Sequence, residues 1–504
     1  MKKARIGLLP LYLELYDKIL APEKRKPLEA FYNSVAADFQ QKGLEVVTAK
    51  ICRLKAEFAA AIKSFEKAEA DAIVTLHLAY SPSLESAEIL AQTKLPVIVL
   101  DTTPDYDFSP SQSPERIMHN HGIHGVQDMC NLLMRCKKQF VIEAGHWKNS
   151  NVLERVVAKV RSAQMASALR HSRVGRIGKP FAGMGDFCVP PDVLEQKLGI
   201  QTVPGDFRRL SRINRSISAR EVDAEIKNHK RQFAVRPGIE KAYQRSARVG
   251  LVVRRWMEEE KLTAFTANFM EITRKTGLPT MPFLEASLGM ARGMGYAGEG
   301  DVLTAALVGA LASVFPATTF TEMFCPDWKG ETIFLSHMGE VNVHLLSGKP
   351  SLIEYPFIFG DLDNPVTAVG CLRAGKAIFV NLAPLPEDRF RLILAPVEMK
   401  TAKGKDKFSN SVRGWMKPTL PSRNMNLGRA GQPVPPLCSV GQGCPTLPTG
   451  KIATLAPNLR ISNFLEDYSR LGGTHHAALV YDADLNLLSG LGTFMGWETV
   501  VLDN

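Results

Sequence analysis

The chain has 504 residues, enough for about three domains at roughly 150 residues each. Hydrophobic residues make up 45% and charged residues 22%, which excludes a disordered or fibrous chain. The 62 Lys and Arg residues against 51 Asp and Glu residues give a net charge of +11, concentrated between Arg208 and Arg248. This basic segment is interpreted as a solvated face or subunit contact, or else as a polyanion site. Interspersed acids and scarce aromatic residues favour the first interpretation, so no nucleic acid is expected.

Short apolar runs alternate with helical patterns over the first 150 residues, as in a doubly wound parallel sheet covered by helices. The predicted strands are Arg5–Leu11, Leu44–Ala49, Asp71–Leu78, Leu95–Asp101 and Gln139–Glu143, and the predicted helices are Pro27–Lys42, Leu54–Ala70 and Ser83–Gln92. Ligands in such sheets bind beyond the carboxyl ends of the strands, here near His77, Tyr80, Ser81 and 101–105.

Two further blocks follow. The central block contains the basic helices, a strand-like run at Leu262–Thr266 and a helix from Val302 that ends near Pro316. The last block is rich in β-branched and aromatic residues and is predicted to be mainly β, with a charged loop at Lys400–Ser409 and irregular chain at Gly428–Gly450. The predicted domains are therefore 1–173 and 174–327, both α/β, and a mainly β domain at 328–504.

Neither a leader peptide nor a membrane span is expected. Charge returns by Glu14 after a brief apolar run, and the uncharged stretch Val302–Thr321 contains Pro316 and several hydroxyl residues. Eight scattered cysteines without a CxxC pair favour reduced thiols in a cytoplasmic protein.

One nucleotide-binding pattern is discounted. Gly293–Gly298 matches GxGxxG, but a helical segment precedes it and the acids Glu299 and Asp301 follow, where they would repel a pyrophosphate. The sequence also lacks GxSxG, GxxxxGK[ST] and HExxH motifs.

Histidines and buried acids favour a metal site instead. Seven of the eleven histidines fall in three neighbourhoods: His119, His121 and His124; His337 and His344; His475 and His476. Glu299 and Glu322 end apolar runs, where an unpaired carboxylate would be unfavourable, so a divalent cation is the expected partner ahead of a structural Arg or Lys. Two carboxylates with two imidazoles suit Mn²⁺, and Co²⁺, Ni²⁺, Zn²⁺ and Fe²⁺ stay open.

At these residues the sequence resembles the L-arabinose isomerase family, whose fold is related to that of L-fucose isomerase. The similar segments, spread in order along the chain, are Ala72–Pro82, Ala144–Trp147, Ala264–Phe269, Phe283–Asp301, Ser336–Val341 and Gly472–His476.

The resemblance implies a metal-dependent aldose–ketose isomerase that forms homo-hexamers or tetramers. It makes Glu299, Glu322, His337 and His476 the expected metal ligands, with His475 as the alternative to His476. It also makes Glu299 and Glu322 the groups that relay a proton between C1 and C2. His124 falls where the family places a histidine that reaches a neighbouring subunit's sugar, and His77 is the second expected substrate-binding residue.

The sequence departs from the family at its first strand, which continues into Pro10–Glu14 where the family has a Gln-containing loop. The identity of the sugar therefore stays open: L-arabinose is the default, with D-galactose, L-fucose or another aldose as alternatives. A non-catalytic sugar-binding protein is the rival hypothesis, although it needs neither the paired acids nor the histidines.

Overall fold

The structure, a computed structural model, describes residues 3–19, 22–402, 406–419 and 459–502. The predicted irregular stretch Gly428–Gly450, with Cys438 and Cys444, lies outside the described residues, as does part of the predicted Lys400–Ser409 loop.

The amino-terminal part is a five-stranded parallel sheet with the order β2-β1-β3-β4-β5. Its order is that of a doubly wound sheet, so ligand-binding groups are expected beyond the strands' carboxyl ends. The elements are β1 (Arg5–Leu11), α1 (Glu14–Ile19), α2 (Lys26–Gln41), β2 (Glu45–Thr48), α3 (Lys55–Lys67), β3 (Ala72–His77), α4 (Ser83–Gln92), β4 (Val97–Asp101), α5 (Ile117–Asn120), α6 (Gly122–Arg135) and β5 (Phe140–Ala144).

The predicted α/β architecture of this part is confirmed. Strands β3 and β4 read as continuous apolar runs because helices cover both faces of a parallel sheet. Helix α2 buries residues three or four positions apart on one face, including Phe31, Val35 and Phe39.

A second parallel sheet, with the order β10-β9-β6-β7, follows in the chain. Helix α13 begins at Asp301, whose side chain caps the Thr304 amide, and is buried along its whole length. The elements are α7 (Val152–Arg170), β6 (Arg173–Ile177), α8 (Pro191–Val193), β7 (Gln201–Pro204), α9 (Phe207–Ser216), α10 (Ala219–Gln232), β8 (Ala234–Val235), α11 (Glu240–Glu259), β9 (Ala264–Ala267), α12 (Phe283–Ala291), β10 (Gly295–Gly298) and α13 (Val302–Ala312).

The carboxyl-terminal part is mainly strand, as predicted. Its strands are β11 (Thr318–Asp327), β12 (Thr332–Ser336), β13 (Ser351–Glu354), β14 (Val366–Cys371), β15 (Gly375–Leu385), β16 (Arg389–Lys400), β17 (Val412–Pro418), β18 (His476–Tyr481) and β19 (Glu498–Val501), and its helices are α14 (Leu459–Arg470) and α15 (Leu485–Met495). The sheet has ten strands in the order β19-β16-β15-β18-β11-β12-β17-β14-β13-β8. Because β16 also pairs with β17, six of these strands close into an antiparallel barrel.

The barrel packs one of its outer faces against the central sheet. Along β18, Ala478 and Val480 join the large core that includes α13, whereas Ala477 and Leu479 face a separate apolar cluster. This alternation follows from the two-residue period of a strand. The seam between barrel and central sheet therefore receives side chains from both.

Within the described part of the chain, no helix is long and apolar enough to cross a membrane.

Candidate active site

Glu299 lies in the turn that follows β10. Its backbone has φ +63°, a left-handed conformation that costs a non-glycine residue about 1–3 kcal/mol and that clusters at functional sites. Two backbone hydrogen bonds hold the turn, from the Glu299 amide to the Ala267 carbonyl (3.1 Å) and from the Phe181 amide to the Glu299 carbonyl (2.9 Å). Gly298 is required just before it, since a Cβ there would lie 2.9 Å from Cε1 of His337.

Glu322, His337 and His476 come from three neighbouring chain segments of the barrel. Glu322 on β11 pairs with Ser336 on β12 on one side and with His476 on β18 on the other. His337 directly follows Ser336 at the end of β12. Strand pairing therefore brings together residues that are up to 154 positions apart, because cross-strand neighbours lie only about 4.5–5.5 Å apart.

These side chains converge on one cavity. Nε2 of His476 lies 3.5 Å from Oε2 of Glu299, and Nε2 of His337 lies 3.7 Å from Oε2 of Glu322. Donor atoms of Glu322, His337 and His476 all lie within 4.8 Å of one another, and so do those of Glu299, His475 and His476. The structure thus brings together all four expected ligands and also the alternative, His475.

A carboxylate supports each of the three histidines from behind. Nδ1 of His337 lies 2.7 Å from Glu340, Nδ1 of His476 lies 3.0 Å from Asp301, and Nδ1 of His475 lies 2.6 Å from Asp186. Such a partner fixes the ring orientation and leaves Nε2 free to face the cavity, as behind metal-bound histidines. Tyr296 in turn donates a hydrogen bond of 2.7 Å to Glu340.

Aromatic rings form part of the cavity wall. Phe187 stacks on His476 with ring centroids 4.9 Å apart, and Phe320 meets both His337 and His476 edge to face. The Phe187 and Phe320 side chains are buried. They lower the local dielectric around the charged groups, which strengthens each electrostatic interaction in the cavity.

The pKa values reflect this crowding of charges. Burial alone would lower the pKa of His337, but the Glu340, Glu322 and Glu299 carboxylates raise it to about 9. Burial raises the pKa of Glu322, whereas the imidazoles outweigh burial at Glu299 and lower its pKa. Without an ion, a proton on His337 balances part of the carboxylate charge, and a bound cation would displace that proton.

Two buried atoms in the cavity have no hydrogen-bond partner among the described residues, namely Oε2 of Glu299 and Nε2 of His476. The two atoms face each other at 3.5 Å without a hydrogen bond, and buried polar atoms without one are unfavourable. A divalent cation satisfies both, and the mixed oxygen and nitrogen donors match Mn²⁺, Co²⁺, Ni²⁺, Zn²⁺ or Fe²⁺. The residues present therefore fit a metal ion.

His77 and His124 lie elsewhere, in the amino-terminal part. His77 ends β3, is 3% exposed and has no hydrogen-bond partner among the described residues for either ring nitrogen. His124 lies exposed on α6, with its ring 6.5 Å from that of Tyr80 and 5.8 Å from that of His121. Gly125 allows α6 to approach His77, since a Cβ there would lie 2.4 Å from Cδ2 of the ring.

Burial of His77 makes stability depend on pH. Burial lowers its pKa from 6.5 to about 3, although Asp128 opposes that shift. Between these values the unfolded chain binds a proton that the folded chain does not, so stability decreases as pH falls below the ordinary histidine pKa. Between neutral pH and pH 4.5, we expect the free energy of unfolding to fall by about 2–3 kcal/mol more for wild type than for His77→Leu.

Urea unfolding of both proteins at the two pH values measures this difference. His171→Leu, which removes an exposed histidine, is the matched control and should keep the wild-type pH dependence. Parallel pH profiles for wild type and His77→Leu would contradict the expected neutral state of His77.

Sequence reasoning missed several of these groups. Asp301 and Glu340 lie within the segments that resemble the family, but no role was predicted for them. Glu340 follows His337 by three residues, a spacing that could have indicated the pair. Asp186 and Phe187 lie in the loop after β6, far from the histidines in sequence, and no local pattern distinguishes them.

Comparison with known proteins connects these features to a family. Residues 194–315 match the L-arabinose isomerase central domain, and residues 317–415 match the L-arabinose isomerase C-terminal domain. The L-arabinose isomerase of Shouchella clausii (strain KSM-K16) is 24% identical over 393 residues, which cover 76% of this chain and 71% of that protein. The L-arabinose isomerase of Nocardioides sp. (strain ATCC BAA-499 / JS614) is 25% identical over 396 residues, covering 76% and 70%.

A solved structure, an ABC transporter solute-binding protein from Agrobacterium vitis bound with alpha-D-tagatopyranose, aligns at 12% identity and a TM-score of 0.14. The alignment covers 53% of this chain and 76% of the solute-binding protein, and its TM-score supports no statement about the fold.

The two domain matches and the relatives place the chain in the class of aldose–ketose isomerases. Within that class, residues 194–315 and 317–415 are similar to the L-arabinose isomerase family, the family of both relatives.

Proposed function

We propose that the protein is a metal-dependent isomerase that converts an aldose into the corresponding ketose, with L-arabinose to L-ribulose as the default reaction. The observation that carries this proposal is the convergence of Glu299, Glu322, His337 and His476 on one cavity that contains two unpartnered buried ligand atoms. These four residues are the proposed ligands, with His475 as the alternative to His476. Mn²⁺ is the proposed ion.

The reaction moves hydrogen within the sugar. The aldose loses a proton from C2 and one from the O2 hydroxyl, and it gains one at C1 and one at O1, so its composition is unchanged. The intermediate is an enediol. A bound divalent cation would supply polarisation of the carbonyl and stabilisation of negative charge on the neighbouring oxygens.

The chain's own residues supply proton transfer. Glu299 and Glu322 are proposed as the two groups that take and return the protons, one from the central sheet and one from the barrel. Each has a carboxylate oxygen within 4.8 Å of a donor atom of His476. A carboxylate held at reacting distance gains from proximity what it lacks in basicity. The buried Phe187 and Phe320 rings provide an apolar surface beside the same groups.

Of the two expected substrate-binding residues, His124 is proposed to contact the sugar and His77 to position His124. His124 is exposed and therefore available to a sugar in the cavity of a neighbouring copy. His77 lies directly beneath the helix that carries His124, and we propose that it acts by supporting that helix.

We propose that the protein is a homo-oligomer, a hexamer or tetramer, in which His124 reaches the cavity of a neighbouring copy. The amino-terminal part also exposes large apolar side chains, including Ile123 next to His124 in sequence (46% exposed), Ile117 (48%) and Tyr106 (70%). Exposed apolar side chains are typical of a subunit interface when they form a contiguous patch. Sedimentation analysis at micromolar concentration should give several times the mass of one chain, and a monomer would contradict the proposal.

We place the activity in the cytoplasm. The six described cysteines are all free thiols, a state that fits a reducing compartment.

A panel of aldoses incubated with the Mn²⁺-loaded protein tests the function. We expect ketose formation from L-arabinose, and comparison with D-galactose and L-fucose decides the sugar, because Tyr12 and its neighbours replace the family's Gln-containing loop. Saturable sugar binding without ketose formation from any aldose would instead support the rival, a non-catalytic sugar-binding protein.

A further inference from the structure

The basic segment Arg208–Arg248 and the remainder of α11 contain cations that pair within the fold and cations that do not. Arg209 lies 2.8 Å from Glu259 and also contacts Glu260, and Arg255 lies 2.6 Å from Glu221. Arg248 donates to the carbonyl of Asn214 at 3.1 Å and also to that of Ile217. These cations connect α9, α10 and α11 to one another, so their charge is satisfied by groups within the fold.

Other cations of the same region line a groove of about 620 Å³ between α9 and the 274–276 turn. They are Arg208, Arg212, Arg215 and Lys275. Asp206 is the acidic residue of the lining, and its Oδ1 already accepts the Arg208 backbone amide at 2.9 Å. In the described part of the chain, no carboxylate pairs with any of these four cations, whereas the adjacent Arg274 pairs with Asp363 at 2.9 Å.

Both walls of the groove are held in place. The Asn214 side chain donates a hydrogen bond of 3.0 Å to the Gly277 carbonyl. Gly277 has φ +83° and packs so closely on α9 that a Cβ there would lie 2.7 Å from Cβ of Ser211. Nη1 of Arg215 donates to Oγ of Ser211 at 2.9 Å. The wall that carries Lys275 therefore stays opposite the arginines.

The charges of this groove repel one another. Arg208, Arg212 and Arg215 occupy positions i, i+4 and i+7 of α9, which lie on one helical face, and like charges at that spacing destabilise a helix. A multivalent anion would relieve the repulsion. Guanidinium groups match phosphate in geometry as well as charge, because two N–H donors can bind two oxygens at once.

The shape of the groove favours a small ligand. Its volume lies within the range of about 300–1,000 Å³ that is typical of small-molecule sites. Phe207 is the aromatic residue of the lining, and it is half-buried, so stacking platforms for successive bases of a nucleic acid are lacking in the groove.

We propose that this groove binds a small molecule that carries two or more phosphate groups. None of its lining residues belongs to the candidate active site, so the proposal stands independently of the isomerase assignment.

Calorimetric titration of the full chain with fructose 1,6-bisphosphate at about 150 mM NaCl tests the proposal. We expect saturable binding, much weaker binding of inorganic phosphate, and no displacement by fructose, which would compete only at a sugar site. Arg212→Gln/Lys275→Gln should weaken the bisphosphate affinity by about tenfold or more, because it removes two of the four cations.

The matched control is Arg220→Gln/Lys227→Gln, which removes the same charge from exposed positions of α10 outside the groove. It should bind the bisphosphate like wild type. All substituted side chains are exposed, so each variant is expected to fold, and circular dichroism checks this. Any one of three results would overturn the proposal: no saturable binding by wild type up to about 10 mM, equal weakening in both double variants, or unchanged affinity in the groove variant.

Discussion

Glu322→Gln is expected to reduce the rate of isomerisation by about 10²–10⁴-fold while the fold is retained, the range that general acid–base groups contribute. Glutamine preserves the size of the side chain and fits the same place between Ser336 and His476 in the barrel. It cannot, however, take a proton from carbon and return it. Initial rates of ketose formation at saturating Mn²⁺, with circular dichroism for the fold, measure the effect.

Saturating metal separates the loss of a proton-transfer group from the loss of a ligand, and bound metal should be measured in the same samples. Glu466→Gln is the matched control, since this side chain is 65% exposed on α14 and lies outside the cavity. It should leave the rate unchanged. A Glu322→Gln protein that turns over sugar at the wild-type rate would refute the role of Glu322 as a proton carrier.

Removal of the metal is expected to have the second large effect. Dialysis against EDTA should abolish activity, because the carboxylates and imidazoles of the cavity are then left without the cation that would polarise the sugar carbonyl. Mn²⁺ or a similar divalent ion should restore activity. Unchanged activity after chelation would contradict a role for a metal ion in the reaction.

Asp301→Asn tests the same metal site through the carboxylate that supports His476. Asp301 has two roles: Oδ1 accepts the Thr304 amide at 2.9 Å and caps α13, and Oδ2 lies 3.0 Å from Nδ1 of His476. Asparagine preserves the cap, since it is an equally good capping residue. It removes the charge that orients and polarises His476, so apparent Mn²⁺ affinity should fall by about 10–100-fold.

Asp484→Asn is the matched control because Asp484 caps α15 in the same way, through the Leu487 amide. Titration of the metal-free proteins with Mn²⁺ compares them directly. We expect the affinity of Asp484→Asn to equal that of wild type. If Asp301→Asn also bound Mn²⁺ like wild type, the support of His476 by Asp301 would contribute nothing to metal affinity.

Local patterns predicted much of the fold. Strand β1 and helix α4 have the predicted bounds, because each carries an uninterrupted pattern between clear end signals. The predicted helix from Val302 ends at Ala312, four residues before Pro316. As predicted, a helix, α12, precedes the GxGxxG match at Gly293–Gly298. The sequence analysis did not predict that Gly295–Gly298 form strand β10.

The sequence by itself determined the layered α/β architecture and the mainly β carboxyl-terminal part, because hydrophobic periodicity is a local property. It also singled out Glu299, Glu322 and three histidine-containing neighbourhoods, and the family resemblance selected His337, His475 and His476 from these neighbourhoods. Only the tertiary structure decided which carboxylate supports each imidazole, and which arginines of the basic helices are neutralised. Apart from Glu340, which follows His337 by three residues, the histidines' partners come from distant segments, and such contacts leave no trace in local spacing.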